Sequence, residues 1–60
     1  MPKITPTTAA EARQHAIDWQ NWQDDQDMSY GELADWQAHF EMIADLFPEL
    51  KDEFIENAII

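Results

Sequence analysis

The sequence predicts an all-α fold: an antiparallel αα-hairpin closed by a short C-terminal helix into a three-helix bundle. Three observations predict it. Leu33, Trp36, Phe40, Ile43 and Phe47 recur at alternating spacings of three and four, which puts all five on one side of a helix. Thr8 to Glu11 and Ser29 to Glu32 both match the capping-box pattern that opens a helix. Glycine occurs once, and two of the three prolines fall in the first six residues, so little interrupts helices further on. The 60 residues make one domain, residues 8–60, preceded by an arm of residues 1–7. A chain of this size buries only about 60% of the surface its unfolded form exposes, so its core is small.

Residues 1–7 carry two prolines and no apolar period, and are expected to be extended; Lys3 there is one of only three cations. After Thr8, a first helix is expected over about 9–25, with Ala12, His15, Ala16, Trp19 and Trp22 as its apolar side. The two alanines allow close approach of a second helix. Ile17 lies off that side, to be covered by the tail or left exposed. Asp24, Asp25 and Asp27 sit at the partly negative C-terminal end of this helix, where carboxylates are unfavourable and help to stop it. Ser29 then opens a second helix, over about 30–47. Met28 before the cap and Leu33 after it form a hydrophobic staple. The short connection makes the two helices antiparallel neighbours.

A second stripe on this helix, Asp35, His39, Met42 and Leu46, cannot face the first helix if Trp36 and Phe40 do. The C-terminal segment is the expected cover for Met42 and Leu46. Pro48 ends the second helix and starts a third, over about 48–56, with Leu50 and Phe54 inward. Asn57 is the expected left-handed stop. Ile59 and Ile60 are expected to fold back on the hairpin.

Thirteen Asp and Glu against three Lys and Arg give a net charge of −10. Such a field repels phosphate backbones and anionic membranes, which argues against direct nucleic-acid or membrane binding and favours a partner with a basic surface. No apolar run is long enough for a membrane span and no signal-peptide pattern opens the chain, so a cytoplasmic protein is expected. Cysteine is absent, which excludes disulfides and thiolate metal sites. Catalysis is not expected: no cysteine nucleophile, glycine-rich phosphate loop or supported Ser-His-Asp set occurs.

Metal-ligating side chains occur in two places. Glu11, His15 and Asp18 share part of one helix face, and Asp35 and His39 lie one turn apart on the other helix. Each histidine also borders an apolar stripe, where an imidazole packs its ring and keeps a nitrogen wet; that simpler reading is preferred, and no cofactor or metal is expected. The acids form three groups: Asp24, Asp25 and Asp27 in the loop; Glu41 and Asp45 on the second helix; Glu49, Asp52, Glu53 and Glu56 along the third. Carboxylates at such intervals imitate DNA phosphates, although an ordinary solvated face has the same pattern. With Trp22 as an edge aromatic, they are the expected partner-binding residues. The alternative function is a homo-oligomeric structural component joined through Met42, Leu46 and Trp22.

The stretches EARQHAIDWQNW, SYGELADWQAHFEMIA and EFIENAII resemble a group of small acidic proteins encoded by phages and prophages of Gram-positive bacteria. The resemblance spans about Glu11 to Ile60. Its pattern runs E-A-R…A-I-D-W-Q, S-x-G-E-L-A-x-W-Q-x-x-F and E-F-x-E-N-G-I, with Ala58 here in place of the glycine. The resemblance implies a phage accessory protein or inhibitor in a bacterial host and transfers no catalytic or binding residue.

Overall fold

The computed structural model describes all residues, Met1 to Ile60, and contains only helices: α1 (Ala9–Gln23), α2 (Tyr30–Leu46), a 3-10 turn (Pro48–Leu50) and α3 (Lys51–Glu56). Each long helix starts where its cap predicts. The Thr8 hydroxyl accepts from the Glu11 amide at 3.1 Å, and the Ser29 hydroxyl accepts from the Glu32 amide at 3.2 Å. The reciprocal half of each box is different from the sequence expectation. Glu11 takes the Thr7 hydroxyl and Glu32 takes the Ser29 hydroxyl, rather than the cap residue's own amide.

The core is the layer between the elements. Ala12, Ala16 and Trp19 from α1 meet Trp36, Phe40, Ile43 and Ala44 from α2, and Leu50, Phe54 and Ile59 close it from the C-terminal side. Phe40 is at its centre: its ring contacts those of Trp19, Trp36 and Phe54 at centroid distances of 5.5, 6.0 and 5.8 Å. Leu33, Phe47, Met28 and Trp22 pack half-buried against this layer, so both residues of the expected staple lie on the core. No helix is long and apolar enough to cross a membrane.

Four expectations need correction. α1 stops at Gln23, two residues before Asp25, and α2 at Leu46, one before Phe47. The third helix begins as a 3-10 turn, which suits Pro48 at its first position. Asn57 has φ −90°; the left-handed residue is Ala58, at φ 58°. Finally, the tail folds back but does not cover Met42 or Leu46, which are 38% and 53% exposed. The C-terminal segment lies against Ala44, and two residues along a helix turn about 200°, so an element on Ala44 leaves Met42 on the far side. Of the two outcomes expected for Ile17, exposure is the one found, at 43%.

Candidate functional site

Two regions carry chemistry, and the first is the acidic surface. Asp24, Asp25, Asp27, Glu41, Asp45, Glu49, Asp52 and Glu56 are all exposed. Glu53 is the exception among the sequence candidates: both of its oxygens accept from Arg13 Nε, at 3.1 and 2.9 Å, and the pair ties α3 to α1. An ion pair this open to water contributes at most about 1 kcal/mol, so its role is mainly to orient α3. Lys51 lines a groove between α2 and α3 with Glu41, Asp45 and Ile55. The Lys3 ammonium sits 4.5 Å above the Trp36 ring. Two of the three cations, Lys3 and Arg13, are therefore engaged by the protein's own groups. Trp22 is half-buried and its ring lies 5.9 Å from that of Trp36, so it is a rim residue rather than a free anchor.

The second region lies where the arm crosses the seam between α1 and α2. His15, one turn from Ala12 on the inner side of α1, is only 4% exposed. Its Nε2 is 3.1 Å from Nε2 of His39, and the two rings meet edge-on at 90°. Trp36 and Phe40 flank the pair, with centroids 5.2 to 6.1 Å from the His15 ring. Burial lowers the pKa of His15, His39 lowers it further, and Asp18 opposes the shift. Burial also lowers that of His39, followed by the Lys3 charge, against the influence of the nearby Ile4 backbone. Both imidazoles are thus neutral at pH 7, one donating and the other accepting across the seam.

The metal candidates from the sequence are not assembled as the two helix faces implied. His15 and His39 come together from different helices. Glu11 is engaged by Thr7, Asp18 accepts from Gln14, and Asp35 is exposed one turn from His39. No three His, Asp or Glu side chains converge.

No protein-family model, curated protein or solved structure matches the chain.

Sequence reasoning placed each histidine beside an apolar stripe but not opposite the other, and it missed the docking of the arm. Lys3 and Pro6 gave no periodic signal, yet Pro6 is buried and Lys3 covers Trp36. The one clue was Lys3 itself, since an ammonium within reach of an indole face is attracted to it.

Proposed function

We propose that this chain is a non-catalytic protein-binding module that acts on a basic protein surface. In its sharpest form it offers carboxylates where a DNA-binding protein expects phosphates. One observation carries the reading: Lys3 and Arg13 are engaged by the protein's own groups, while eight candidate carboxylates stay exposed. The outward field is therefore negative with little local relief. Such a field speeds encounter with basic partners and is screened by salt. The resemblance to phage and prophage proteins fits an accessory inhibitor working in the bacterial cytoplasm.

Affinity capture from a Gram-positive bacterial lysate at low and high salt, with duplex DNA as competitor, tests this. The expected catch is basic, DNA-handling proteins that are released by salt and displaced by DNA. Captured partners that are neither basic nor salt-sensitive would sink the idea.

A second reading, a homo-oligomeric structural component, is favoured by the exposure of Met42 and Leu46. Sedimentation over a concentration series separates the two, because a strict monomer rules out self-assembly.

A further inference from the structure

We propose that the N-terminal arm is a latch, closed over the α1–α2 seam while the His15–His39 pair is neutral and released when the pair is protonated. Two contacts hold the arm: the Lys3 ammonium lies on the Trp36 face, and Pro6 is buried. The Lys3 contact falls on the indole beside the pair, whose ring is 5.7 Å from that of His39. The arm has no helix of its own to resist release, whereas every other segment around the pair belongs to a long helix.

Protonation acts on this geometry in two ways. A first proton creates an imidazolium between aromatic walls, beside the Trp36 ring that carries the Lys3 ammonium. Like charges repel at this range, and a site shielded from water strengthens the repulsion. A second proton places N–H against N–H across the 3.1 Å contact and leaves neither nitrogen an acceptor. Release of the arm relieves both, because it admits water and removes Lys3. The nearby Ile4 backbone favours the charged His39 ring and opposes release, but burial and Lys3 outweigh it.

The charged groups around the pair are few. Lys3 comes from the arm, Asp18 from α1 acts on His15, and α2 contributes His39 itself. Glu11 and Asp35 lie one turn before His15 and His39 on their own helices, both exposed. α3 reaches the cluster only as Phe54, through Phe40.

The test is nitrogen-15 relaxation on the full chain. At about pH 7.5, order parameters for Lys3, Ile4 and Thr5 should lie near the rigid value of about 0.85, and by about pH 5 they should fall below about 0.6. The fall should follow the titration of the imidazole protons while α1 and α2 remain ordered. The step should vanish in His15→Gln/His39→Gln. An arm equally ordered, or equally mobile, at both pH values overturns the proposal, as does a step that persists in the double variant. Lys3→Met gives an independent reading: His39 should titrate at higher pH once the ammonium is gone, and an unchanged titration would show that the latch contact does not exist.

Discussion

Ala58 is held at φ 58°, where an L side chain crowds its own backbone. It stays there because two hydrogen bonds close the end of α3. The Ile59 amide donates to the Phe54 carbonyl at 2.8 Å, and the Ala58 amide to the Ile55 carbonyl at 3.2 Å. This is the Schellman arrangement, and its accompanying apolar contact joins Phe54 to Ile59, both buried. Asn57 looked like the stop because asparagine tolerates left-handed backbone, but the apolar contact requires Ile59 to be the second residue past the cap. Ala58→Gly should therefore stabilise the fold by about 0.5–1 kcal/mol, the relief of strain exceeding the added freedom of the unfolded chain. Thermal unfolding should show a Tm gain of about 4–8 °C per kcal/mol for a domain of this size. A lower Tm would mean that the alanine carries no strain. Trp19 carries a different local cost: its Nε1 is buried without a partner, a penalty of about 1–3 kcal/mol set against burial of the whole indole.

For whole helices, the caps were legible and the coverings were not. Caps are local, since Thr8 and Ser29 act on amides three residues away, so the starts of both long helices follow from the sequence. Ser29→Ala should cost about 1 kcal/mol, read as a lower Tm, because the Glu32 amide loses its side-chain acceptor. An unchanged Tm would mean that the Met28–Leu33 staple alone fixes this boundary. Coverage depends on which side of α2 the third helix reaches, and that is decided by small residues. Ala44 lets the C-terminal segment come close, and the cluster of Leu50, Phe54 and Ile59 then closes the core from that side. Met42 and Leu46 carry the same apolar signal as a covered stripe, and no local rule distinguishes the two sides. The candidate site divides in the same way. The acids were legible because exposure is their default, while the pairing of Arg13 with Glu53, 40 positions away, had no local signature.

Over the whole molecule, the charge of −10 was plain from composition, but the docking of the arm over the seam was not, and that docking governs how stability follows pH. Both imidazoles have pKa values lowered from 6.5, chiefly by burial, so in the window below 6.5 the unfolded chain binds more protons than the folded one. Stability is then fully present above pH 6.5 and declines as pH falls through the lowered folded values. The slope can reach about 1.4 kcal/mol per pH unit for each proton taken up on unfolding. Arm release would change the shape of the curve. Once the arm leaves, the native hairpin can hold the protons itself, and the difference between folded and unfolded states shrinks. Thermal melts at fixed ionic strength should therefore show Tm falling below about pH 6.5 and then levelling, instead of falling steadily to acid unfolding. In His15→Gln/His39→Gln the decline over this window should disappear. A wild-type Tm that is flat from about pH 7 to 5.5 would mean that water reaches the pair freely and that the arm shields nothing.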